Sequence, residues 1–201
     1  MADQQDDAAL AAEQPRPDRR QALVAAAFQR IASEGFEGLR TRDVAADAGV
    51  NIATLHYYFP TKEALIRGVI GHAMQRFAAT IPSQGSGLEQ LQGHLRALSR
   101  LIKDDQQLWA VMGELVLRAP RDPDLAQTFH QSDAFWHRTL RDLIVRCIMT
   151  GAANDQLDAD DAAALAIAAI RGLSLPTVGG VDVGRVNRVF RQLERMLGLP
   201  E

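Results

Sequence analysis

The sequence predicts an all-α fold, with a group of three short helices at the N-terminus and a longer helical body behind it. Three observations carry this. Apolar residues recur at helical spacing from Leu23 to Leu197. Candidate helices are bracketed by capping side chains on one side and by glycine or proline on the other. The stretch 39–65, LRTRDVAADAGVNIATLHYYFPTKEAL, holds two short helical patterns joined by a turn. With 201 residues and 47% apolar content, the chain is long enough for a real core and for one or two small domains.

Residues 1–17 are acidic at the start and carry no periodic apolar stripe, which predicts a disordered acidic tail. Pro15 and Pro17 break any helix there, and Asp18 is a candidate cap. The first helix runs to about Glu34 with Leu23, Val24, Ala27, Phe28 and Ile31 on one face, and Gly35 stops it. Thr41 is a candidate cap for the second helix, with Asp43 in its first turn, where a helix N-terminus favours negative charge. Gly49 is placed to take positive φ after Ala48, and Asn51 to cap the third helix. Pro60 disfavours helical geometry at Phe59 and keeps that helix short.

Helical arithmetic sorts the third helix by face. Leu55 and Phe59 fall on one side with Ile52 beside them; Ala53 and Tyr57 fall on the other, flanked by Thr54 and His56. The first side is a core seat. The second is small, aromatic and hydroxylated, which suits thymine methyls, base edges and phosphates. Ala45, Gly49 and Leu55 have the spacing of a helix-turn-helix, whose second helix lies in a major groove. The bland alternative is a buried helical hairpin with an odd aromatic cluster.

The runs TRDVAADAGV and TLHYYFPTKEAL closely resemble the DNA-binding domain of the tetracycline-repressor (TetR) family of bacterial regulators, over roughly residues 19–67. The resemblance implies a dimeric all-helical protein, usually of nine helices, that represses transcription until a small molecule enters its C-terminal domain. It implies a helix-turn-helix DNA-binding domain at 18–63 and a helical ligand-binding and dimerisation domain at 64–201. It implies that Thr41 and Lys62 hold phosphates and that Arg42 reaches a base. Ala53, Thr54 and Tyr57 would meet base edges, and His56 and Tyr58 the backbone. Ile52 corresponds to a position that touches a base in the family, whereas the face arithmetic sets it nearer the core. His56 stands where the family often has tyrosine. The implied partners are double-stranded DNA bearing an inverted repeat, a second copy of the chain and an unidentified small-molecule effector.

Behind this unit, Thr61 caps a helix expected to reach about Ile81, with Leu65, Ile66, Val69, Ile70, Ala73, Phe77 and Ile81 buried. Pro82, Gly85 and Gly87 then make a loop, and Leu88, Leu91, Leu95, Leu98 and Ile102 mark the fifth helix. Asp104 or Asp105 caps the sixth, which holds Trp109, Met112, Leu115 and Val116 and is closed by Pro120. A long seventh helix spans about 122–150. Trp109, Met112, Phe129, His130, Phe135, Trp136 and His137 are candidate lining for a small-molecule pocket; for the tryptophans and phenylalanines ordinary core is the alternative. Arg118, Arg121 and Arg138 could answer an anion or simply be solvated.

The eighth helix, read over 162–177, carries the small or apolar residues Leu165, Ala168, Ala169 and Gly172. The last shows Val183, Val186, Phe190, Leu193 and Leu197 at alternating spacings of three and four, a heptad-like seam. Pairing both helices with the same two of a second copy predicts a four-helix dimer interface through Leu165, Ala169, Gly172, Val186, Phe190, Leu193 and Leu197.

Several classes of chemistry find no support. There is no HExxH, no phosphate-cradling glycine loop and no GxSxG elbow, so the chain is read as a non-enzyme without cofactor or metal. His130 and His137 are seven apart on one face but have no third ligand pattern. The single cysteine, Cys147, sits in an apolar helical pattern as a packed thiol. No apolar run is long enough to span a bilayer and no signal segment opens the chain, so a cytoplasmic location is expected. The net charge is -3, yet residues 16–67 carry eight Arg or Lys against six acids. That favours docking through a few placed cations over a general basic surface. The competing reading is a helix-turn-helix protein whose C-terminal half is a protein-interaction module without a ligand cavity.

Overall fold

A computed structural model describes residues 18–175 and 180–200. The described residues form nine α-helices: α1 Arg19–Glu34, α2 Thr41–Asp47, α3 Ile52–Tyr58, α4 Lys62–Ala78, α5 Gly87–Asp104, α6 Gln106–Arg118, α7 Pro123–Met149, α8 Ala159–Ser174 and α9 Val183–Met196. Short 3-10 turns lie at Phe36–Gly38 and Ala119–Arg121. The acidic tail and the stretch holding Pro176, Thr177 and Gly179 lie outside the described residues.

Capping explains most of the boundaries. Asp18, Asn51, Thr61, Ser86, Asp105, Asp122, Asp158 and Asp182 each accept a backbone N–H at the start of a helix. At Ser86 the exchange is reciprocal, since Glu89 reaches back to the Ser86 amide at 2.7 Å. Three expectations are corrected. Arg40, not Thr41, occupies the cap of α2, without a side-chain bond, and Thr41 is the first helical residue. α4 ends at Ala78 instead of near Ile81, because Pro82 disfavours helical geometry at Ile81 and Thr80 folds its hydroxyl back onto the Phe77 carbonyl. α8 begins at Ala159, three residues before the expected start, because Asp158 supplies the cap.

The buried side chains divide into two clusters. The first joins α1 to α4 with Leu108, Val111 and Leu115 of α6 and Leu125 and Phe129 of α7. Gly68 permits close approach of α4 here, since a Cβ would stand 3.0 Å from Val24 and 3.1 Å from Phe59. The second cluster joins α5, the later part of α7, α8 and α9 around Leu91, Leu95, Leu143 and Cys147. Each fully buried Leu, Ile, Val or Phe contributes roughly 1.5–3 kcal/mol by leaving water.

The second cluster overturns the predicted dimer seam. Val186, Phe190, Leu193 and Leu197 are buried within the subunit, at 2%, 5%, 6% and 0% exposure. α9 lays this stripe against α5 and α8 of its own chain. A three-four spacing marks one apolar face of a helix, and a neighbour within the chain satisfies it as well as a second copy does. On α8 the outcome differs. Leu165, Ala168 and Gly172 are exposed, and Ala169 is half-buried.

Candidate nucleic-acid interface and ligand cavity

The recognition unit is built from its turn outward. Val44 and Ala45 bury one side of α2. Gly49, at φ 67°, turns the chain in the left-handed region that glycine tolerates, and the Val50 amide donates to the Ala45 carbonyl at 2.9 Å. Asn51 Oδ1 then accepts both the Thr54 amide at 2.8 Å and the Thr54 hydroxyl at 3.0 Å. Leu55 and Phe59 lock α3 into the core from its inner side.

The outer side is left facing solvent. Tyr57 is 81% exposed, and Ala53 and His56 are exposed beside it. Thr54 and Tyr58 are half-buried, and the Tyr58 ring meets Tyr57 edge to face at 5.1 Å. Arg42 is exposed near the start of α2, and Thr41 is half-buried. Lys62 is half-buried with Nζ 4.6 Å from the Phe36 ring centre, so its ammonium rests on an aromatic face. Ile52 is exposed, so the expected core placement is corrected. It opens α3 one turn ahead of the Leu55 and Phe59 seat and is 37% exposed.

Arg30 fixes α2 against α1, a contact that sequence reasoning missed. Its guanidinium holds Asp47 at 2.6 and 3.1 Å and Glu34 at 3.0 Å, with Asp43 3.8 Å away. The hydrogen bond to Arg30 lowers the Asp47 carboxyl below its ordinary range, and the Arg30 pKa is raised in return. Only the Arg30–Glu34 spacing of four was visible in the sequence; the Asp47 contact needs the tertiary fold.

A cavity of about 1530 Å³ lies between α4, α6 and α7, with residues of α1 and α8 also in its lining. Trp109, Met112, Phe129, His130 and Trp136 all line it, and so does Phe135. His137 and Arg138 are not in its lining; the His137 ring lies 3.3 Å from the Asp160 carbonyl. Arg118 and Arg121 are outside it too, and Arg118 pairs with Glu37. The sequence reading missed Met74, which it assigned to no face, and Phe77, which it took for ordinary buried stripe of α4. Phe77 stands between the two tryptophans, 5.1 Å from Trp109 and 6.3 Å from Trp136, ring centre to ring centre.

Behind Trp136 runs a buried polar chain. The Trp136 indole N–H donates to His94 Nε2 at 3.3 Å. His94 Nδ1 therefore carries the proton and donates to Thr80 Oγ1 at 2.7 Å, and the Thr80 hydroxyl donates to the Phe77 carbonyl at 2.5 Å. His94 is 1% exposed, and burial pushes its pKa down to about 4.

A short capped helix that turns a small, aromatic and hydroxylated face outward from a three-helix head is the arrangement of a helix-turn-helix protein, here carried on a helical body with a cavity of its own. Comparison with known proteins agrees. Residues 23–69 match the family described as bacterial regulatory proteins, tetR family, and residues 87–198 match the family described as BetI-type transcriptional repressor, C-terminal. The chain belongs to the TetR family of bacterial regulatory proteins.

Among its relatives is the nicotine-responsive transcriptional repressor HdnoR of Paenarthrobacter nicotinovorans. It is 26% identical over 120 residues, which span 56% of this chain and 62% of that protein. The transcriptional regulator CymR of Pseudomonas putida is 26% identical over 176 residues, 83% of each chain. A solved structure of a putative TetR-family transcriptional regulator from Rhodococcus sp. superposes with a TM-score of 0.75 at 26% identity, covering 89% of this chain and 98% of that one. A regulator from Saccharomonospora viridis, solved in complex with choline, shares the fold with a TM-score of 0.71 at 23% identity, over 88% and 95% of the two chains.

Proposed function

We propose that this chain is a homodimeric, cytoplasmic transcriptional repressor that leaves its operator when a small molecule enters the cavity. One observation carries the reading. α4 begins at Lys62, just behind the recognition helix, and its far end supplies Met74, Phe77 and Ala78 to the cavity wall. Its 17 residues form a rod of about 25 Å with one end at each site. A ligand that displaces the far end tilts the near end. It relieves repression only if it binds the DNA-incompetent arrangement more tightly than the competent one.

On this reading Ala53, Thr54 and Tyr57 meet base edges, and Arg42 reaches a base from α2. Thr41, Lys62, His56 and Tyr58 hold the DNA backbone, with Lys62 leaving the Phe36 ring for a phosphate. Exposed Ile52 is placed to add an apolar contact. Trp109, Met112, Phe129, His130 and Trp136 meet the effector. A nicotine-responsive relative and a fold neighbour solved with choline support a small organic effector. The competing interaction-module reading required a C-terminal half without a cavity, and the cavity counts against it. The test is footprinting on DNA flanking the chain's own gene, repeated with a small-molecule panel. A protected inverted repeat that some compound abolishes is expected. Absence of any protected site would overturn the reading.

A further inference from the structure

The chemistry facing the cavity narrows what it can hold. Both tryptophans have spent their one polar group on the protein: Trp109 Nε1 donates to the Leu101 carbonyl at 3.1 Å, and Trp136 Nε1 to His94. An indole has no second donor, so what these residues still offer an occupant is ring surface. With Phe77 between them, the three rings form a continuous aromatic wall. The π faces of such rings are negative and attract cations.

The charged groups point the same way. Among the described residues, the lining carries two carboxylates, Glu114 and Asp133, and one guanidinium, Arg171. Arg171 is already paired with Asp133. Glu114 is half-buried, and its one hydrogen-bond partner is the Phe36 backbone amide, which donates to Oε2 at 3.2 Å. Arg118, one turn further along α6, is turned away to Glu37 and to the Phe36 ring. An anion entering the cavity would find no uncommitted guanidinium or ammonium, only the His130 imidazole, while a cation would find a carboxylate and three aromatic faces. The volume also counts, since small-molecule pockets commonly measure about 300–1,000 Å³ and this one is about 1530 Å³. From this geometry we infer that the cavity takes a bulky hydrophobic organic cation, with Glu114 as its counter-charge and Phe77, Trp109 and Trp136 as its aromatic wall. The inference rests on the effector reading above and specifies the ligand class of that same site.

The test is a matched set of probes on the full-length protein. Tetraphenylphosphonium and tetraphenylborate have nearly the same shape and opposite charge, and triphenylphosphine oxide is a neutral relative. Binding is read from tryptophan fluorescence, and operator release from the same samples by anisotropy of labelled DNA. The phosphonium should bind saturably, about tenfold or more tighter than the borate. Glu114→Gln keeps an oxygen for the Phe36 amide and removes only the charge. It should erase most of the tenfold gap and leave the neutral compound's affinity unchanged. The ion comparison on the unaltered protein needs no variant to fold. Borate binding as tightly as phosphonium, an unchanged gap in Glu114→Gln, or no saturable phosphonium binding would each overturn the inference. The two readings fail separately. Release by neutral or anionic compounds alone keeps the effector reading and sinks this one. Phosphonium binding as described while the operator stays bound keeps this one and sinks the effector reading.

Discussion

At the scale of single residues, burial separates side chains that hold the fold from those free to act. Tyr57 has only the Tyr58 edge as a ring partner and is 81% exposed, so folding gains little from it. Tyr57→Ala should therefore leave the urea midpoint nearly unchanged and weaken operator binding by roughly 1–3 kcal/mol in a mobility-shift titration. Unaltered affinity would remove Tyr57 from the groove. His94 is the opposite case, at 1% exposure with both ring nitrogens bonded. Its pKa falls from 6.5 to about 4 on folding because burial disfavours the charged ring. Between those values the unfolded chain binds a proton that the folded chain refuses. Stability from this group is thus fully present above pH 6.5 and lost as the pH falls toward 4. The loss amounts to about 3 kcal/mol at most. Urea unfolding at pH 7 and pH 4.5 should show the drop, and His94→Gln, which cannot titrate, should show a smaller one. An identical drop in both proteins would mean that other groups carry the pH response.

At the scale of elements, local chemistry made most of the fold legible in the sequence. Asp18, Asn51 and Thr61 cap where they were read to cap, and Gly49 turns where a positive φ was needed. The face of α3 was legible for Leu55, Phe59 and Tyr57, because a helix with a strong core side leaves its other side outside. Ile52 was not, since at the first residue of a helix the exposure depends on which neighbours reach it. Six of the seven pocket candidates line one cavity and His137 does not, and the α4 wall, Glu114 and the His94 chain depend on contacts between residues far apart in sequence. The largest miss, the α9 seam, has the same cause. A periodic stripe states that a face is buried and is silent on what buries it. Leu193→Ala should therefore lower subunit stability by about 2–5 kcal/mol through the cavity it leaves in the second core. The fall in urea midpoint should persist at every protein concentration. An effect that shrinks as concentration rises would return Leu193 to an interface between copies.

At the scale of the whole molecule, moving the α9 stripe inside the subunit leaves α8 to carry the proposed dimer contact. Leu165 is 58% exposed. Ala168, Ala169 and Gly172 continue its stripe one turn and two turns on, and a Cβ at Gly172 would meet nothing within 4 Å. A single exposed leucine means little, but small residues beside it let a second helix approach closely. The exposed side of α9 bears Arg185, Arg188, Arg191 and Arg195 and would repel its own copy if the two met face to face. On the proposed homodimer reading the two-fold axis would lie at α8, with Leu165, Ala169 and Gly172 facing their counterparts. Two recognition helices related by such an axis should then read an inverted repeat with half-site centres on the order of 34–36 Å apart. Leu165→Asp tests the arrangement without touching either buried cluster. The carboxylate costs nothing on a free subunit surface and is expensive when a second copy covers it. The variant should keep the helical content and unfolding midpoint of the isolated subunit. It should sediment at half the mass of the parent protein, and its operator affinity should collapse although every proposed DNA contact is intact. A Leu165→Asp protein that stays dimeric and binds the inverted repeat normally would place the interface elsewhere.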